Sequence, residues 1–184
     1  MKRALWHGFA TVLALSCLCF DSRADTPPPE LRMQLPQASI EMQARFSYFG
    51  FAVYDANLWV APGFSLSGFE QHAFALQLTY QRDFEGIAIA KRSVQEMRRQ
   101  PGLSEQRLQV WERYMRDAFP DVRKGDRLTG IHSPGIGAQF LLNGRPIASI
   151  PDPEFAGHFF GIWLSPQSSD ARLRDAVRAQ TGTR

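Results

Sequence analysis

Apolar and polar side chains alternate along much of the chain, and this alternation predicts the strands of a β-sheet. Within residues 40–48 every even-numbered residue is apolar or aromatic and every odd-numbered residue is polar. A period of two is expected of a strand with one buried face. Asn143-Gly144 lies between the last two such runs and indicates a two-residue hairpin turn. The predicted strands cover residues 38–48, 51–60, 73–80, 127–131, 138–142 and 146–150.

The apolar period lengthens to three or four residues after the third predicted strand, and again after the sixth. Pro101-Gly102 separates a first helix from a second helix that Ser104 can cap. Asp152-Pro153 places an N-cap before a proline at the first helical position. The apolar faces of the four predicted helices are Ile87, Ala90, Val94 and Met97; Leu108, Trp111, Met115 and Ala118; Phe155, Phe159, Ile162 and Trp163; and Leu173, Ala176 and Val177.

The order of these elements is strands, two helices, strands and two helices. Hairpin connections between strands, with the helices grouped in blocks, are typical of the α+β class. We therefore expect an open-faced antiparallel β-sheet with a layer of helices on one face.

The first 24 residues resemble a secretory signal peptide. Lys2 and Arg3 precede an apolar stretch over residues 4–20, and Ser22-Arg23-Ala24 offers small residues at the positions that a signal peptidase requires. A membrane anchor is the alternative, but 17 residues are short for a span. We expect cleavage after Ala24 and export to the periplasm. Residues 25–37, with four prolines, should then form an extended leader before a single domain over residues 38–184.

Charge and cysteine content narrow the possible functions. After residue 24 the chain carries 18 cationic and 17 anionic side chains, so neither nucleic acid nor an anionic membrane held by charge alone is indicated. Both cysteines, Cys17 and Cys19, lie within the predicted signal peptide. The remaining chain therefore cannot form a disulfide, a thiolate zinc site or a cysteine nucleophile.

Motifs for metal, phosphate or hydrolytic chemistry are weak. His72, His132 and His158 have no spacing typical of metal ligands. Residues 132–135 do not form the Gly-x-Ser-x-Gly motif of serine hydrolases, and Gly135-Ile136-Gly137 lacks the third glycine of a dinucleotide-binding loop. We expect neither a metal site nor a cofactor.

Arg45 is the candidate for ligand recognition, because it lies on a predicted strand close to Tyr54 and Asp55. An arginine that points into a cleft can hold a carboxylate or a phenolate through two charge-assisted hydrogen bonds. The alternation places Arg45 on the polar side of its strand, so a solvent-facing arginine is the alternative. Aromatic side chains such as Tyr54, Trp59 and Phe159 could wall the cleft, although packing in the core is the commoner role of such residues.

Four segments carry a resemblance to a known family: residues 49–60, 78–86, 125–130 and 152–164. In this order they resemble segments of bacterial exported chalcone isomerase-like proteins. The resemblance extends over residues 38–177 and implies an open-faced antiparallel β-sandwich with a helical layer. Members of the wider family that bind fatty acids also imply a ligand cleft.

The enzymes of that family close a flavanone ring with an arginine, a threonine and a tyrosine. The resemblance implies that Arg45 corresponds to the arginine. The threonine position falls at Asp55 or Ala56, and residues 87–90, which follow Gly86, carry no hydroxyl where the tyrosine is expected. Two of the three catalytic groups are therefore missing.

We expect an exported binder, without catalysis, of a small apolar acid or a phenolic ligand resembling a fatty acid. One alternative is an isomerase or intramolecular lyase with rearranged groups, such as Tyr80 and Asp55. Another is a periplasmic accessory protein that docks a protein partner through its helical face. The residues expected to contact the ligand are Arg45, Tyr54, Asp55, Trp59, Tyr80 and Phe159.

Overall fold

A computed structural model describes residues 26–169 together with residues 174 and 175. Six strands form one antiparallel sheet whose spatial order is the order of the chain. This arrangement confirms the predicted α+β class. The strands are β1 (Ser39–Tyr48), β2 (Phe51–Val60), β3 (Phe74–Tyr80), β4 (Arg127–Ser133), β5 (Gly137–Leu142) and β6 (Arg145–Ile150). The helices are α1 (Pro29–Arg32), α2 (Gly86–Met97), α3 (Glu105–Ala118) and α4 (Pro153–Leu164).

Two predicted elements fall outside the described residues: the signal peptide over residues 1–24 and most of the last helix, with Leu173, Ala176 and Val177. Among the described helices, none combines the length and the apolar character needed to cross a membrane.

The main core lies between one face of the sheet and helices α2, α3 and α4. Alternate strand residues, among them Leu58 and Leu76, point into this layer and are buried. Phenylalanines from the sheet and α4 meet there edge to face; Phe140 and Phe159, for example, have ring centroids 5.2 Å apart. Such rings bury a large apolar area each, which fixes α4 against the sheet.

The helix starts are set by side chains that satisfy free backbone groups. The Ser104 hydroxyl accepts a hydrogen bond from the amide of Arg107, as the sequence predicts for an N-cap. Asp152 accepts a hydrogen bond from the amide of Phe155 with one carboxylate oxygen and one from the Trp111 indole with the other. Asp152 therefore caps α4 and also ties it to α3.

The first residue of α2, Gly86, must be a glycine, because the start of this helix packs directly against the backbone that follows α3. A β-carbon at Gly86 would lie 2.0 Å from the backbone carbonyl oxygen of Phe119. The Gly86 amide also donates to the Asp121 carboxylate at 2.9 Å. This close contact fixes the position of α2 over the sheet.

The leader is not extended as predicted. Residues 29–32 form the one-turn helix α1, and Leu31 and Leu35 are buried. Together with Ala38 they pack on the sheet face opposite the long helices, against Trp59, Ala75, Ile131 and Leu141. The prolines indicated an extended chain, but the i, i+4 pair of leucines supplies an apolar face that the sheet covers.

Two hairpins close with the same turn geometry at the same end of the sheet. Asn143 and Gly144, between β5 and β6, have φ angles of 51° and 82°. Phe49 and Gly50, between β1 and β2, have φ angles of 48° and 80°. Both central residues are thus left-handed in each turn, as in a type I′ hairpin.

Candidate functional site

A cavity of about 320 Å³ lies between the helical layer and the sheet, at the end where β1 and β2 meet. Its walls are mainly apolar and aromatic. The sheet contributes Phe46, Tyr48, Val53, Tyr54, Leu78, Tyr80 and Leu128. The helices and their connections contribute Phe84, Ala88, Ile89, Arg92, Ser93, Glu96, Phe119, Phe159, Ile162, Trp163 and Ser169.

Strand register explains why three aromatic side chains meet on the cavity floor. Tyr54 of β2 pairs with Phe46 of β1 and with Tyr80 of β3, so all three side chains point to the same face. The Phe46 and Tyr54 rings stack with centroids 5.1 Å apart, and Tyr54 meets Tyr80 edge to face at 6.2 Å. The floor is therefore a continuous aromatic surface.

The polar groups at this floor are the phenols of Tyr54 and Tyr80 and the indole of Trp163, which reaches the floor from α4. The Trp163 indole donates a hydrogen bond to the Tyr54 hydroxyl oxygen at 2.9 Å. Burial, with a smaller contribution from Tyr54, raises the pKa of Tyr80 well above its ordinary value. Tyr80 is consequently a neutral phenol at physiological pH and is suited to hydrogen bonding rather than to proton abstraction.

Charge at the cavity is concentrated on helix α2. A guanidinium nitrogen of Arg92 lies 2.6 Å from a carboxylate oxygen of Glu96, and the guanidinium lies 5.8 Å from the centroid of the Tyr48 ring. The Arg92 side chain is 52% exposed, whereas Glu96 is buried and lies 3.3 Å from Arg99. Arg92 is the one cationic residue among the described residues that line the cavity.

The structure brings together three of the six predicted ligand contacts, Tyr54, Tyr80 and Phe159, in this cavity. Arg45 and Asp55 lie on the opposite face of the sheet. The Arg45 guanidinium binds the Asp55 carboxylate with two hydrogen bonds of 2.6 and 2.9 Å, and its side chain is 61% exposed. The expectation that Arg45 points into the cleft is therefore wrong, and the polar side that alternation indicates is its true position.

The contact with Arg45 also lowers the pKa of the Asp55 carboxyl below its usual range. Gln81 donates a further hydrogen bond to the same carboxylate at 2.8 Å. Asp55 is thus a fixed, ionised partner of Arg45 on the surface of the sheet. The rearranged catalytic pair of Tyr80 and Asp55 is excluded by this geometry, since the two side chains point to opposite faces.

Trp59 does not line the cavity either. It is buried on the second face of the sheet beneath Leu31 and Leu35. The sequence shows an aromatic residue on a buried strand but does not show which of two covered faces it occupies.

Arg92 is the functional candidate that the sequence interpretation missed, because it does not belong to the apolar face predicted for α2. The cavity-facing residues of that helix are Ala88, Ile89, Arg92, Ser93 and Glu96. Their spacing is a helical stripe with a polar end, and this pattern was the available signal. Within this stripe Glu96 follows Arg92 by four residues, and this charged pair is the part of the pattern that indicates a charged site.

The histidines have structural roles in the described part of the chain. His132 lies 2.8 Å from the carbonyl oxygen of His72 and stacks on Phe74 with centroids 4.8 Å apart. His158 lies 3.1 Å from the side-chain oxygen of Gln100. Burial lowers the pKa of both imidazoles. No cluster of three metal-binding side chains occurs among the described residues.

Comparisons with known proteins agree with this architecture. The model of the chalcone isomerase-like family matches residues 47–177. An uncharacterized protein of Haemophilus influenzae is 28% identical over 138 residues, which span 75% of this chain and 66% of the relative. The crystal structure of an Arabidopsis thaliana fatty-acid binding protein has the same fold. It matches with a TM-score of 0.57 and 11% identity, over 79% of this chain and 89% of the plant protein. The chain belongs to the chalcone isomerase-like family.

Proposed function

We propose that this protein binds a small amphiphile without transforming it, with the apolar part in the cavity and an acidic group near Arg92. The observation that carries the proposal is the apolar cavity of about 320 Å³ with a single arginine among its described lining residues. That volume lies within the range of small-molecule sites, roughly 300–1,000 Å³. A fatty acid or an apolar phenolic acid combines the two required features.

The aromatic floor supports a ligand with a long apolar part. Phe46, Tyr54 and Phe159 offer ring faces and edges, and Ile89 and Ile162 offer aliphatic contacts. Burying apolar surface is the main favourable contribution in such a site. The plant protein that shares the fold is described as a fatty-acid binding protein, which is consistent with this ligand class.

The positions of the polar groups support binding rather than ring closure. Arg45 and Asp55 form an ion pair on the other face of the sheet, and residues 87–90 carry no hydroxyl. Tyr80, with its raised pKa, does not supply a base at neutral pH. A turnover assay on chalcones should therefore show no rate above the uncatalysed one.

A cavity-filling substitution tests the proposed site. Ser93 of α2 lines the cavity and is buried, so Ser93→Trp places a large side chain there, and we expect this variant to lose binding of hexadecanoic acid measured by isothermal titration calorimetry. Gln95→Trp, on the exposed side of the same helix, is the matched control and should bind as the parent does. Equal affinity in the parent and in Ser93→Trp would place the ligand elsewhere and refute the proposal.

We also propose that the protein acts in the periplasm after cleavage following Ala24. The support is the order of a positive start, an apolar stretch and small residues within residues 1–24. N-terminal sequencing of the protein from the periplasmic fraction should give Asp25 as the first residue. A sequence starting at Met1 would contradict this proposal.

A further inference from the structure

The hairpin between β1 and β2 carries three exposed aromatic side chains, Tyr48, Phe49 and Phe51, which we call the aromatic tip. Phe49 is 84% exposed and Phe51 is 67% exposed. The pairing of β2 with β3 ends at Tyr54 and Tyr80, so the tip extends beyond the neighbouring strand. The aromatic tip is thus a convex apolar projection at one corner of the sheet.

Turn geometry does not explain a phenylalanine at position 49. A bulky side chain is disfavoured at positive φ, and asparagine is the usual residue at the first position of this turn. The hairpin between β5 and β6 has the same geometry with Asn143 in that place. The Asn143 amide group accepts from the Arg127 amide and donates to Asp126, whereas the Phe49 ring contacts the ring of Tyr48 at the tip itself.

The aromatic tip is continuous with the mouth of the cavity. Tyr48 lines the cavity and also packs edge to face with Phe49, with ring centroids 4.5 Å apart. The Arg92 guanidinium also lies at this ring, 5.8 Å from the Tyr48 centroid. Whatever binds the tip is therefore brought to the cavity mouth.

We propose that the aromatic tip inserts into the surface of a lipid bilayer and holds the cavity mouth against it. Each aromatic side chain can bury about 150–250 Å², so three of them offer at most about 450–750 Å², less than the ~800 Å² that one partner contributes to a stable protein interface. Aromatic side chains are favoured at the boundary between lipid headgroups and acyl chains, and a convex tip needs no complementary groove there.

Insertion through aromatic rings also agrees with the near-neutral charge of residues 25–184. The proposal of membrane docking depends only on the aromatic tip. Its consequence, that the cavity exchanges an amphiphile directly with the membrane, rests on the proposed function. An apolar chain moving along this path would remain in contact with Tyr48 between bilayer and cavity.

Vesicle binding of a single-residue variant tests the docking. Phe49→Asn supplies the preferred turn residue while removing an apolar ring from the tip. We expect its partitioning onto palmitoyl-oleoyl phosphatidylcholine vesicles, measured by co-sedimentation, to fall about tenfold or more. Its thermal unfolding midpoint should equal or exceed that of the parent, which separates lost docking from lost folding.

Ile136→Asn is the matched control, because Ile136 is also 67% exposed and lies in the turn between β4 and β5 at the opposite end of the sheet. This variant should partition as the parent does. Equal losses in both variants would show a general effect of apolar exposure and overturn the proposal. An unchanged affinity of Phe49→Asn would overturn it as well.

A second measurement reports on the tip even if residues 1–24 also bind the vesicles. Phe49→Trp adds a tryptophan at the tip. Lipids brominated along their acyl chains should quench its fluorescence, so the total quenching should be larger in this variant than in the parent. Lack of added quenching on vesicles that carry the protein would overturn insertion. A dimer seen by light scattering in the parent and lost in Phe49→Asn, without vesicle binding, would instead show that a second copy covers the tip.

These outcomes separate the two proposals. Vesicle binding that depends on Phe49, in a protein that does not bind hexadecanoic acid, would retain the docking surface and refute the proposed ligand. Binding of hexadecanoic acid by a protein that does not bind vesicles would do the reverse.

Discussion

Arg45 and Arg92 each pair with a carboxylate, yet only one of them can meet a ligand in the cavity. Arg45 forms a two-pronged contact with Asp55 on the outer face of the sheet. Arg92 lies at the cavity beside Glu96, with about half of its side chain exposed. The two residues therefore offer a matched comparison of the same substitution on opposite faces.

We expect Arg92→Gln to weaken binding of hexadecanoic acid roughly three- to tenfold, because a partly solvated charge contributes modestly to affinity. Binding of hexadecanol should change little, since an alcohol has no charge to lose. Titration calorimetry with both ligands checks this, and Arg45→Gln should leave both affinities unchanged. Equal losses for acid and alcohol would show that Arg92 acts on the shape of the cavity.

At the scale of elements, the leader shows what local patterns leave open. Leu31 and Leu35 belong to a segment whose prolines favour extended chain, and their burial depends on a sheet face that forms from distant residues. The helix caps at Ser104 and Asp152 were predictable, because each requires only a side chain and the next turn of backbone. Docking of the leader is a tertiary effect with no such local signature.

The leader should contribute measurably to stability. Leu31 is fully buried, so Leu31→Ala is expected to lower the free energy of unfolding by about 2–4 kcal/mol through lost burial and a residual cavity. Met33, two residues later, is 94% exposed, and Met33→Ala should change stability by less than about 0.5 kcal/mol. Urea denaturation of both variants makes the comparison. Similar stabilities would mean that the leader is not docked in solution.

At the scale of the whole molecule, much of the fold followed from periodicity. The six strand segments, the helices α2, α3 and α4 and the hairpin at Asn143-Gly144 all have local signals that the structure confirms. The site was predicted only in part. Tyr54, Tyr80 and Phe159 were identified as aromatic residues of the cavity-facing side, whereas Trp59 was not separable from them because both faces of its strand are covered.

Stability of the whole chain should depend on pH through its buried imidazoles. Burial lowers the pKa of His132, so the folded protein holds it neutral while the unfolded chain takes up a proton below about pH 6.5. The free energy of unfolding should therefore decrease as the pH falls from about 6.5 toward the folded-state pKa. His158 contributes with the same sign.

Urea midpoints measured between about pH 5 and 8 test this dependence. In His132→Phe, which keeps a ring against Phe74, the decrease toward low pH should be smaller than in the parent. An identical slope in parent and variant would show that other groups cause the dependence.

The chain-order sheet has a consequence for when the cavity comes into existence during folding. Strands β1 to β3 and strands β4 to β6 form two local meanders. The pairing of β3 with β4 joins them, and it brings together two strands that α2 and α3 separate in the sequence. The cavity floor belongs to the first meander, yet Phe159 and Trp163 reach it from α4, after the second. A ligand that occupies this cavity therefore adds its stabilisation only to the fully assembled chain, and it should slow global unfolding without speeding the formation of either meander.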